Sequence, residues 1–185
     1  MVVMANATEI GDFERSMIEG SSVFFVASAP LDPNGHINLS PKGISDTFRI
    51  LDDHHVAYLD LTGSGAETAA HLSENGRITL MWCSFGRDPN ILRIHGRGRV
   101  VRPQTPDFEE LIAHFPPHKG VRGVIVVEIQ RLNNSCGFGV PVASELQERS
   151  DLDGWLNRKG DSKLLEYQAK HNQLSIDGLN AYPLT

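Results

Sequence analysis

The chain has 185 residues, 40% of them hydrophobic and 22% charged, with a formal net charge of −6 at pH 7. That length carries one good core and is short for two domains with a linker, so residues 1–185 are read as one domain. The acidic balance opposes nonspecific nucleic-acid binding, ordinary composition argues against a disordered or fibrous chain, and no stretch approaches the roughly 20 apolar residues of a membrane span. The opening MVVMANATEIGDF has no basic flank before its short apolar run, so it does not read as a secretory signal and a cytoplasmic location is expected. Cys83 and Cys136 stand alone, without CxxC spacing, and are expected to be reduced thiols.

In chain order, TEIGDFERSMIEG places Ile10, Phe13, Met17 and Ile18 at helical spacing, with Thr8 as the expected cap and Gly20 as the stop. SVFFVASAP and HINLSP flank the turn former DPNGH and read as a hairpin. HVAYLDL is the next strand, followed by the loop TGSGA and a helix over about 66–75 that ends at Asn75-Gly76. RITLMWCSF and ILRIHGRGRVVR are extended, the second with glycine bends. PQTPDFEELIAHF has the proline and early acids of a helix start, and RGVIVVEIQRL is the last clear strand. SELQERSDLDGWLNRKGDSKLLEYQAKHNQL reads as helical pieces, and SIDGLNAYPLT as an extended tail whose apolar residues dock across a partner subunit or line the substrate cleft, unless it is a frayed terminus.

The loop between strand and helix invites an anion, because glycines let successive N–H groups turn toward one point and a helix N-terminus adds its dipole. No GK[ST] follows, which removes a nucleoside triphosphate loop. Gly63-Ser64-Gly65-Ala66-Glu67-Thr68 has Thr at the third glycine of a dinucleotide fingerprint, and hairpins flank it where repeated strand-helix-strand units are needed. Arg93, Arg97 and Arg99 share one strand face and read as a solvated surface; Glu67 and His71 read as a helix-surface pair rather than metal ligands, and Trp82 as core or interface. No metal site is expected, since the eight histidines form no HExxH or Cys/His cluster.

From FFVASAP at 24 to GFGVP at 141, the NLSPKG turn, the YLDLTGSGAET loop, the AAHLSENGRITLMW unit and the ILRIHGRGRVV strand together resemble the pyridoxamine 5'-phosphate oxidase-like, FMN-binding split barrels. The resemblance implies an α+β fold: a mainly β, six-stranded antiparallel Greek-key barrel over about 20–142, with inserted helices and a helical arm over about 143–185. It also implies a homodimer holding FMN in the intersubunit cleft. By the same match Ser40, Lys42, Thr62 and Thr68 are expected phosphate contacts, with Gly63, Ser64 and Gly65 beside them. Where those oxidases carry Ser-Arg-Lys at the helix start this chain has Ala66-Glu67-Thr68, and it lacks their Arg-rich C-terminal motif, so pyridoxamine phosphate is not the expected substrate. The function so implied is an FMN-dependent oxidoreductase acting on a small molecule or electron donor, with no side chain assigned as acid or base. The alternative is a barrel that stores or senses a flavin without turnover.

Overall fold

The computed structural model describes residues 7–182, so the opening MVVMAN and the last three tail residues lie outside the described residues. Helix α1 (Asp12–Glu19) is followed by β1 (Phe24–Ser28), β2 (Asn38–Lys42), β3 (Phe48–Ile50) and β4 (His55–Leu61). Then come α2 (Glu67–Asn75), β5 (Arg77–Cys83), β6 (Asn90–Val101), α3 (Pro106–Ile112), β7 (Val121–Cys136) and α4 (Asp151–His171). All strand pairs are antiparallel, in the order β2-β1-β5-β6-β7-β4-β3.

The sheet has seven strands, one more than the expected six. The extra strand is β3, whose Phe-Arg-Ile run is too short to show a period in the sequence and forms by pairing with β4. Although β1 and β3 stand near opposite ends of the strand order, the ring of Phe24 lies 5.1 Å from Phe48 and 5.5 Å from Tyr58, so the sheet curls until its ends meet. Trp82, 1% exposed, stacks on Phe24 and is a core residue of this closure. Inward positions alternate along β1 and β5, as half-buried strands require. β4 is buried on both sides: Val56 and Tyr58 face the barrel core, while Ala57 and Leu59 pack with Val101, Phe115 and Val124.

Local chemistry sets the helix boundaries. α1 is capped at Gly11, and not at Thr8: the Gly11 N–H donates to the carboxylate of Glu14, the acid three residues inside the helix, at 3.2 Å. α3 begins as expected, with the Thr105 hydroxyl accepting from the Phe108 N–H. α4 breaks at Gly160 (φ 69°, ψ 166°), and Trp155 and Tyr167, one from each half, meet edge-on at 5.0 Å.

α2 ends as the sequence predicts, at Gly76 with φ 69° and its N–H donating to the Leu72 carbonyl. A Cβ at Gly76 would also come within 3.3 Å of the Gly98 carbonyl. Gly76→Ala is therefore expected to destabilise the protein by about 1 kcal/mol, read as a lower urea midpoint at unchanged slope.

Candidate functional site

β4 delivers one carboxylate to the end of the barrel. Asp60 follows Tyr58 on the inward face and is 3% exposed, a position an acid holds only with partners. Its chief partner comes from an irregularity in the neighbouring strand. Asp60 stands opposite Gly123 and Leu61 opposite Val121, so Arg122 is the extra residue of a β-bulge and has no opposite number. Its side chain reaches Asp60 instead, with Nε donating to Oδ2 at 2.9 Å and Nη2 to Oδ1 at 3.3 Å. Burial, the largest influence on Arg122, acts to lower its pKa, and the Asp60 charge overcomes it to leave the guanidinium above its ordinary value.

The tail adds a third member. Tyr182 donates to Asp60 Oδ2 at 2.6 Å, and its ring lies 5.3 Å from the Arg122 guanidinium. Burial, then the Asp60 charge, push the Tyr182 phenol well above its usual pKa, so it stays a donor at any ordinary pH.

Beside this cluster lies a cavity of about 210 Å³ lined by residues from β2, β4, α2 and the loop between them, with Arg122 at its wall. Ser40, Lys42, Gly63, Ser64, Gly65 and Thr68 all line it. Asn38 ties two of them together: its Nδ2 donates to Thr68 Oγ1 at 3.0 Å, and its Oδ1 accepts from the Ser40 hydroxyl at 2.8 Å. The Thr68 oxygen is thus an acceptor in the wall and its hydroxyl hydrogen remains available to the cavity. Ser40 spends its hydrogen on Asn38.

Lys42 Nζ stands 3.9 Å from Asp60 Oδ1, within reach of the charge but beyond a hydrogen bond. Among the described residues no hydrogen-bond partner meets Lys42 Nζ, and Arg122 Nη1 is buried without one. The first turn of α2 has no side-chain cap, since Ala66 occupies the cap position. Two acids also face the site, but Asp60 is matched by Arg122 and Glu67 accepts from the Ile176 N–H.

Thr62 is placed differently. It is 1% exposed, and its hydroxyl donates to the Gly120 carbonyl at 2.7 Å while accepting from Gln168 Nε2. It lines a second, apolar cavity of about 250 Å³ with Phe24, Ile44 and Leu59, and the two cavities adjoin at Lys42 and Gly63. Neither Gly63 nor Gly65 adopts positive φ, so the loop does not use the left-handed conformations that glycine permits.

Two further expectations are corrected here. His71 is not on a helix surface: it is fully buried, its Nδ1 lies 3.0 Å from Ser28 Oγ, and burial lowers its pKa. The tail docks on its own chain, where Ala181 packs against Ala66, Ala69 and Ala70 and Asn172 Nδ2 donates to the Gly63 carbonyl at 2.9 Å. The arginine strand face is a surface, as expected: Arg97 and Arg99 are exposed, Arg97 donates to the Asn75 carbonyl at the far end of α2, Arg93 to Ser135 and Arg99 to Asp107, and none of the three lines the cavity. Sequence reasoning also missed Arg122 and Asp60. The available signal was one charge in each of two apolar strand runs, VRGVIVV and HVAYLDL.

Among the described residues no cluster of three His, Cys, Asp or Glu is placed to hold a metal, and no helix is long and apolar enough to cross a membrane. A family model described as pyridoxamine 5'-phosphate oxidase matches residues 10–136. The pyridoxamine 5'-phosphate oxidase family protein ustO of Aspergillus flavus is 39% identical over 173 residues, covering 85% of this chain and 69% of that protein. Two crystal structures of HupZ from Group A Streptococcus share the fold: one has a TM-score of 0.54 at 18% identity, over 68% of this chain and 99% of the other. The second has a TM-score of 0.53 at 17% identity, over 73% and 100%.

Proposed function

The chain belongs to the pyridoxamine 5'-phosphate oxidase family, and on that premise we propose that it is an FMN-binding flavoprotein and a flavin-dependent oxidoreductase. The observation that carries this reading is the convergence at one cavity of a lysine without a hydrogen-bond partner, a buried guanidinium nitrogen without one, a free hydroxyl hydrogen and an uncapped helix start. A phosphate needs several donors and at least one positive charge, and these groups supply both. Lys42 and Thr68 would hold the phosphate, with the backbone of Gly63, Ser64 and Gly65 and the first turn of α2 around it. Ser40 would orient Asn38 and, through it, Thr68; Thr62 would brace the loop from behind.

When bound, FMN supplies the hydride- or electron-transfer chemistry through its ring. The protein's part is to bind, orient and keep water out. The adjoining cavity with its Phe24, Leu59 and Leu61 walls suits an apolar continuation of an anionic ligand that passes Lys42. Ile37 and Leu39, 77% and 66% exposed on or beside the edge strand β2, support a homodimer across that face. Pyridoxamine phosphate is not the proposed substrate, because the C-terminal segment here carries no arginine-rich motif and is engaged with the glycine loop instead.

The test is the absorption spectrum of the purified protein, alone and after titration with FMN. Flavin maxima that stay with the protein through gel filtration, with FMN released on denaturation, are the expected result. A colourless protein that does not quench FMN fluorescence overturns the reading. Bleaching of the bound flavin by NADH or NADPH then separates an oxidoreductase from a flavin store.

A further inference from the structure

Lys42 lies beside a buried carboxylate and yet does not bond to it, and the reason lies at the other end of the chain. Asp60 already accepts three hydrogen bonds: from Arg122 Nε on Oδ2, from Arg122 Nη2 on Oδ1, and from the Tyr182 hydroxyl on Oδ2. The last, at 2.6 Å, is a charge-assisted O–H···O⁻ bond of the strong kind. Resting on the reading of the cavity as a phosphate site, we propose that Tyr182 is a positioning residue for Lys42: by holding Asp60 on Arg122 it leaves the lysine free for the ligand's anion.

The tail is built to place that phenol. Arg102 Nη2 donates to the Ala181 carbonyl at 2.7 Å, and its guanidinium lies 5.9 Å from the Tyr182 ring. Ala181 is fully buried against α2. The residue opposite Asp60 on β7 is Gly123, and a Cβ there would stand 3.1 Å from the Tyr182 oxygen, so a side chain on the strand would displace the tyrosine. Without the hydroxyl, Asp60 Oδ2 loses one donor in a buried site where acceptors need them. The carboxylate, then held by Arg122 alone, is free to turn toward Lys42, the cation next in reach at 3.9 Å from its other oxygen, Oδ1. A movement of about 1 Å would bring that pair from ion-pair distance to hydrogen-bond distance.

Three measurements test the role of Tyr182. In Tyr182→Phe, FMN affinity by fluorescence quenching is expected to fall roughly fivefold, the worth of one hydrogen bond. In a Lys42→Met background the same change is expected to have no effect, because no lysine remains to be captured. In the ligand-free protein, acetic anhydride labelling of Lys42 followed by mass spectrometry is expected to slow in Tyr182→Phe. Equal losses in both backgrounds, or labelling unchanged from the parent, would overturn the proposal and leave Tyr182 a packing residue. The labelling needs no flavin, so it tests the hold of Tyr182 on the lysine even if FMN does not bind. Should Tyr182→Phe melt early, Arg102→Gln loosens the same tail from a residue that does not line the cavity, and the same slowing of Lys42 labelling is required of it.

Discussion

Lys42→Ala is expected to weaken FMN binding by roughly 1.5–3 kcal/mol, about 10- to 150-fold, with little change in thermal stability. The size follows from what the lysine does in the free protein. A surface ion pair would already have spent most of its charge on a partner. Lys42 has Asp60 near it at 3.9 Å but no hydrogen bond to it, so an arriving phosphate makes the first direct bond to the ammonium. Little stability is at stake because the side chain is 27% exposed and Asp60 keeps its bonds from Arg122 and Tyr182 without it. Isothermal titration with FMN and a melting curve on the same sample check both halves. Unchanged affinity would remove Lys42 from the site; an equally large fall in stability would make it a structural residue.

The barrel strands were legible because each is governed by a local rule: alternation in FFVAS and RITLMWC, a turn former between β1 and β2, Asn75-Gly76 closing α2. β3 was not, since three residues hold no period and the strand exists only through its pairing with β4. The site divides in the same way. Lys42, Thr68 and the glycine loop are visible because a strand, a loop and a helix start follow one another in sequence. Asp60 and Arg122 are 62 positions apart and meet only because β7 carries an extra residue at that point, which strand periodicity does not foresee. Tyr182 comes from 122 positions away from Asp60, in a segment with no helical pattern, and its apolar neighbours gave reason to seek a partner for it in a second subunit. Ala181 packs on the start of the chain's own α2, where small Ala66 at the cap and Ala69 and Ala70 in the helix leave space for it.

The buried pair makes the second large prediction. Arg122→Met is expected to destabilise the protein by about 3–5 kcal/mol, because it leaves the Asp60 carboxylate buried with one tyrosine hydroxyl and no hydrogen-bonded charge to match it. Asp60→Leu combined with Arg122→Met is expected to recover most of that loss, since replacing both members of a buried pair by apolar side chains removes the uncompensated charge. Urea unfolding of the two variants gives the comparison directly. Lys42 sharpens it. If Arg122 leaves, Asp60 has a second cation 3.9 Å away, and the lysine can turn to it. The loss of stability in Arg122→Met then falls toward the lower end of the range, while FMN affinity falls with it because Lys42 is occupied. The double variant frees Lys42 again, so its FMN affinity should exceed that of Arg122→Met even though both lack the guanidinium. A double variant that binds FMN no better than Arg122→Met would show that the guanidinium itself, through its unpartnered Nη1, contacts the ligand.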